Sequence, residues 1–181
     1  TPAPDIVHEA AGHAPIIVDN DYAEYLRRFG EIGAKAMSSR KDFELYQAIR
    51  HLSIVKEAPG TDSAEIQKAE EQVKYMFANL GSPSEMALLS RLHWWTVEYG
   101  LIGGLDAPKI YGAGLLSSIG ESVSCLGDSV KKLRYSAATA QTFPFDITTQ
   151  QPQLFVVDEF PNLMRELESF ASTMAFAVGG K

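Results

Sequence analysis

The chain contains a single cysteine, Cys125, in 181 residues. A lone thiol excludes an intrachain disulfide framework and any zinc site built from several cysteines, and it fits a reducing, cytoplasmic compartment. Long hydrophobic runs are missing too. No stretch reaches the roughly 18 uninterrupted apolar residues that a membrane span needs, so no membrane partner is expected. Basic charge is scarce, with 16 Lys and Arg against 23 Asp and Glu and a net charge of −7. A broad grip on nucleic acid, which needs clustered Lys and Arg, is therefore excluded. The opening Thr1-Pro2-Ala3-Pro4-Asp5 lacks the basic start and apolar core of a signal peptide. What is present is an ordinary globular composition, 45% hydrophobic. That excludes wholesale disorder, and the length predicts a single domain over residues 1–181 with a core of its own.

The hydrophobic pattern is mostly that of helices. Asp19-Asn20-Asp21 offers N-caps for a helix to about residue 38. A second helix covers about residues 41–57, with Leu45, Ile49 and Leu52 on one face, and Pro59-Gly60 breaks it. Asp62 with Glu65 three residues on resembles a capping box, opening a helix whose stripe is Ile66, Ala69, Val73, Met76, Phe77 and Leu80. Ser82-Pro83-Ser84-Glu85 starts another, to about residue 101. Strand signals occur near 143–149 and 153–157 and predict a small β-hairpin before a last helix over about 161–174. The fold class is mainly α with that hairpin near the C-terminus.

Two of the four histidines lie in His8-Glu9-Ala10-Ala11-Gly12-His13. Zinc proteases place histidines at i and i+4, on one helix face. Here the separation is five, which leaves the imidazoles about 140° apart on an ideal helix. They meet on one metal only if the helix ends or distorts between them. Gly12 permits that, and Pro15 disfavours helix at Ala14. The motif alone leaves two metal ligands and two ordinary histidines evenly balanced. Glu98 tips the balance. It follows Trp94-Trp95-Thr96-Val97 and precedes Tyr99 and Leu101, and burying a carboxylate there is costly unless it is paired or holds a metal. Two His and one carboxylate make the facial triad of non-haem Fe(II) oxygenases.

With these residues in view, the chain resembles the pterin-dependent aromatic amino acid hydroxylases, and the phenylalanine 4-hydroxylases most among them. The matching blocks are Thr1 to Glu9 with Gly12-His13-Ala14-Pro15, then Trp94 to Leu101, and most strongly Lys109-Ile110-Tyr111-Gly112-Ala113-Gly114-Leu115-Leu116-Ser117-Ser118-Ile119-Gly120-Glu121. The likeness continues more weakly through Gln153-Leu154-Phe155-Val156-Val157 and Phe170-Ala171-Ser172-Thr173. The resemblance implies the family's catalytic-domain fold and a monooxygenase that takes Fe(II), a tetrahydropterin and O₂ to hydroxylate an aromatic amino acid, phenylalanine to tyrosine. It implies that His8, His13 and Glu98 hold the iron and that Glu9 lines the pterin side. Thr1, Pro4, Trp94, Gly114 and Ser117 match positions around the substrate, Asp5 an acid beside a substrate-binding arginine, and Tyr99 a family aromatic. Ser117 also matches a hydroxyl that orients the first histidine.

Three departures stand out. Residues 40–92 form an apparent helical insertion. His93 stands where the family has Tyr next to the iron, and is assigned with Glu9 to the cofactor side. Being five residues from Glu98, it is expected off that residue's helix face. The family's pterin loop and carboxylate-binding arginine lie before the position of Thr1, so the isolated chain is expected to be N-terminally incomplete and to hydroxylate poorly. Without a tetramerising tail, a monomer or weak dimer is expected. The competing readings are a metal-dependent hydrolase with Glu9 as base, which the i+5 spacing opposes, and a non-catalytic metal-binding or interaction module.

Overall fold

The structure is a computed structural model that describes residues 6–147 and 149–179. It divides into two compact units, Met37–Ala87 and the remainder.

The principal helices are α1 (Asn20–Gly33), α2 (Arg40–Glu57), α3 (Ser63–Ala78), α4 (Glu85–His93), α5 (Ala113–Leu116), α6 (Ile119–Ser124), α7 (Ala137–Ala140), α8 (Phe160–Ala171) and α9 (Ala175–Val178). Two π-helical turns, His8–His13 and Trp94–Glu98, complete the helical set together with a 3₁₀ turn at Ile16–Val18. No helix among the described residues is long and apolar enough to cross a membrane.

In the smaller unit, α2 and α3 form an antiparallel hairpin. Lys41 at the start of α2 donates to the Asn79 carbonyl beyond the end of α3, and Lys56 pairs with Glu70 nearer its start. Leu45, Ala48, Val55 and Ala69 are its buried apolar side chains. The capping box lies one helix earlier than the sequence pattern predicts. The Ser39 hydroxyl accepts from Asp42 N, and the Asp42 carboxylate accepts from Ser39 N. At Asp62 only the forward half forms, its carboxylate accepting from Ala64 N.

The larger unit packs α1 and α8 beside a four-stranded sheet of β1 (Leu101–Ile102), β2 (Lys109–Ile110), β3 (Lys131–Arg134) and β4 (Gln153–Val157), in the order β2-β1-β4-β3. The central β4 runs parallel to both neighbours, with Leu101 opposite Val156 and Leu133 opposite Phe155. A strand flanked on both sides reads as a continuous apolar run, and Leu154 to Val157 are all buried.

The strand over 153–157 is thus where the pattern puts it, but its partner is not 143–149. The described residues of that segment form no strand. Pro144 has no N–H for a ladder. The Phe143 carbonyl accepts from Trp95 Nε1, and buried Gln151 donates to the Asp146 and Thr149 carbonyls. The hairpin of this sheet is β1–β2 instead. The helix expected to reach residue 38 ends at Gly33, and the one expected to run to about 101 turns π-helical at Trp94.

The core of this unit holds the buried tyrosines Tyr22, Tyr25, Tyr111 and Tyr135. Burial raises all four phenols above the ordinary tyrosine range. An unfolded chain releases these protons near pH 10 while the folded one holds them, so stability is intact below pH 10 and falls as pH rises above it. Each buried phenol adds up to about 1.4 kcal/mol per pH unit to that slope. Urea midpoints measured between pH 8 and 11 should be flat and then drop steeply; a flat profile throughout would contradict the burial.

Candidate metal centre

The site begins with a departure from α-helical winding. Over His8–His13 the chain bonds i to i+5, as the Ala14 N–H to Glu9 carbonyl bond at 3.0 Å shows. Bonding at that interval takes more residues into each turn, so it narrows the angular separation that an α-helix would impose on residues five apart. The two imidazoles meet edge to face with ring centroids 4.7 Å apart. The second π-turn, Trp94–Glu98, closes with Tyr99 N donating to the Trp94 carbonyl at 2.9 Å.

The short helix α5 lies between the two turns because glycines face it on one side and begin it on the other. A Cβ on Gly12 would sit 2.7 Å from the Ala113 carbonyl oxygen, and a Cβ on Gly112 would sit 2.5 Å from the Glu98 carbonyl oxygen. Without side chains there, the backbones close up and Glu98 comes opposite the histidines. His8 Nε2 is 3.0 Å from His13 Nε2 and 3.5 Å from Glu98 Oε2, and His13 Nε2 is 3.4 Å from Glu98 Oε1. Side-chain exposures of 32%, 22% and 17% for His8, His13 and Glu98 leave the cluster open enough for an ion to enter.

Hydrogen bonding fixes how His8 presents itself. Ser117, just past α5, donates its hydroxyl proton to the Ala113 carbonyl at 2.8 Å. Its oxygen therefore accepts from His8 Nδ1–H, also at 2.8 Å. With Nδ1 protonated, neutral His8 turns a lone pair at Nε2 toward His13 and Glu98, the arrangement that second-sphere donors impose on metal-binding histidines. A carboxylate and imidazole lone pairs converging at these distances repel one another unless a proton or cation lies between them. For bonds of about 2.1 Å, ligand atoms are about 3.0 Å apart at octahedral angles and about 3.4 Å at tetrahedral ones. The observed edges span those values. Among the described residues, His8, His13 and Glu98 are the group of three that could hold a metal ion.

The other residues singled out from sequence fall as follows. Trp94 stacks between Tyr99 and Phe145, each at 4.5 Å between centroids, and the Tyr99 hydroxyl donates to Glu121 at 2.9 Å. Gly114 lies under this wall, where a Cβ would be 3.0 Å from the Tyr99 ring. Glu9 is exposed beside His8. His93 packs its ring on Phe29 at 5.6 Å, and burial holds its imidazole below the usual histidine range against the opposing pull of Glu98. The π-turn corrects the expectation from spacing: residues 93 and 98 are related by the i+5 interval and share a face. Thr1, Pro4 and Asp5 lie outside the described residues. Sequence reasoning missed Phe145 and Glu121 at the aromatic wall. It also missed Tyr22, whose buried hydroxyl has no hydrogen-bond partner in the structure and is electrostatically coupled to Glu98.

The fold and this cluster define a class: the chain belongs to the biopterin-dependent aromatic amino acid hydroxylases, whose family profile matches residues 63–178. It is similar to the phenylalanine-4-hydroxylase of Bos taurus, 29% identical over 175 residues that make up 96% of this chain and 29% of the relative. It is also similar to human tyrosine 3-monooxygenase, 28% identical over 95% of this chain and 24% of the relative. Among solved structures, the iron- and phenylalanine-bound phenylalanine hydroxylase from Chromobacterium violaceum matches with a TM-score of 0.56 and 25% identity, over 93% of this chain and 44% of that one. The chain thus spans less than a third of the length of these curated relatives.

Proposed function

We propose that the chain carries the iron site of a pterin-dependent monooxygenase that hydroxylates phenylalanine to tyrosine. The observation that carries the reading is the convergence of His8 Nε2, His13 Nε2 and the Glu98 carboxylate, with the His8 tautomer set by Ser117. Three ligands of this type leave coordination positions free on an octahedral ion. Bound there, Fe(II) supplies activation of O₂ by a tetrahydropterin.

The protein's part is to hold and orient. Ser117 keeps the His8 lone pair aimed inward. The Tyr99–Trp94–Phe145 stack and the bare surface of Gly114 offer a flat apolar wall of the kind an aromatic side chain packs against. Glu9, exposed next to His8, is assigned to the pterin, with His93 on the cofactor side and Thr1, Pro4 and Asp5 on the substrate side. Phenylalanine is taken as the substrate because two of the three named relatives are phenylalanine hydroxylases.

The test is tyrosine formation from phenylalanine by protein loaded anaerobically with Fe(II) and then given tetrahydropterin and air. Slow product formation is expected, requiring all of iron, pterin and O₂, and abolished in Glu98→Ala. Product that forms equally well without iron, or in Glu98→Ala, would contradict the assignment.

A further inference from the structure

Thr96 is one of two buried polar residues among those described, and it lies inside the second π-turn. Its hydroxyl donates to the Leu92 carbonyl at 2.7 Å, with a longer approach of 3.5 Å to the His93 carbonyl. That proton being used, the Thr96 oxygen accepts from the Tyr25 hydroxyl at 2.9 Å. Thr96, Tyr25 and Leu92 are all 0% exposed, so no solvent competes for these bonds.

An apolar pair of similar shape would fill this part of the core without the cost of burying two hydroxyls. The location explains their presence. Leu92 is the penultimate residue of α4, next to the point where the i+4 ladder gives way to i+5 bonds. The Thr96 hydroxyl reaches the carbonyl at that junction, and Tyr25 on α1 fixes the hydroxyl from the other side. If the turn reverted to α-helical winding, Glu98 would move by one residue's rotation, about 100°, away from the histidines.

We propose that Thr96 and Tyr25 are positioning residues for the metal centre: their buried hydroxyl chain holds the π-turn in the phase that aims Glu98 at His8 and His13. The inference rests on the iron-site reading only for its effect on metal binding. The winding of the turn can be read without metal.

The test uses the 181-residue chain and two readouts. Amide exchange at Tyr99 N–H, the donor of the i+5 bond to Trp94, should quicken at least tenfold in metal-free Thr96→Val and measurably in the milder Tyr25→Phe. Thr96→Ser, which keeps the hydroxyl, should restore protection. Co(II) affinity, followed by its visible absorption, should fall at least tenfold in Thr96→Val and stay near the starting value in Thr96→Ser. Unchanged Tyr99 exchange in both Thr96→Val and Tyr25→Phe would overturn the proposal. So would quickened exchange with Co(II) affinity intact, since the turn would then not govern Glu98. If Thr96→Val fails to fold, Tyr25→Phe against the unsubstituted chain decides both readouts. A chain whose unsubstituted form binds no Co(II) defeats the iron-site reading instead, and the exchange data still decide whether the hydroxyls hold the turn.

Discussion

Glu98→Ala is expected to lower Fe(II) affinity by ~100-fold or more, and His93→Tyr to leave it within a few-fold. His93, the last residue of α4, and Glu98, the last of the π-turn, lie five residues apart on one face, yet only Glu98 belongs to the cluster that could hold an ion. Glu98 lies 3.4 and 3.5 Å from the two histidine nitrogens and brings the site's negative charge. Its removal leaves only the two imidazoles, and a loss of ~100-fold corresponds to about 2.7 kcal/mol of binding. His93 packs against Phe29, and burial favours its neutral form. Anaerobic Fe(II) titration of the two variants separates them. If His93→Ala strips the metal while Glu98→Ala keeps it, the centre is a histidine cluster and not a facial triad.

Gly112→Ala is expected to cost about 3 kcal/mol of stability, the upper end for overpacking. Its added methyl carbon would fall 2.4 Å from Gly100 N and 2.5 Å from the Glu98 carbonyl oxygen, both backbone atoms that cannot swing aside. Where the fold survives, α5 must separate from the second π-turn, and metal affinity should fall together with the urea midpoint. Gly120→Ala is the control: nothing lies within 4 Å of a Cβ there, so neither quantity should move much. A Gly112→Ala chain with unchanged midpoint and affinity would mean that the close approach of Gly112 to Glu98 does not build the site.

Much of this site is legible in the residues, but its geometry is not. Glu98 stands out because a carboxylate among Trp94, Trp95, Val97 and Tyr99 needs a partner. The histidine pair stands out as a motif whose spacing fits no α-helix. The resolution, an i+5 turn at each ligand segment, leaves no pattern in side-chain polarity. It depends on Gly12 letting its backbone touch Ala113 a hundred residues on, on Gly112 letting its backbone touch Glu98, and on the buried Tyr25–Thr96 contact. The fold divides likewise. β4 shows itself as a run of buried apolar residues, whereas β3, Lys131-Lys132-Leu133-Arg134, is an edge strand whose charges mask it. The 143–149 segment reads as a strand from its phenylalanines, but those rings pack on Trp94 and Phe155 from an irregular backbone.

In the proposed centre one ferrous ion is held by His8, His13 and Glu98. X-ray absorption of the Fe(II)-loaded chain at the iron edge tests it most directly, because imidazole rings scatter distinctively and can be counted. Two imidazoles per iron are expected, with oxygen donors completing the shell. Three imidazoles, with His93 recruited, or a shell without any, would contradict it.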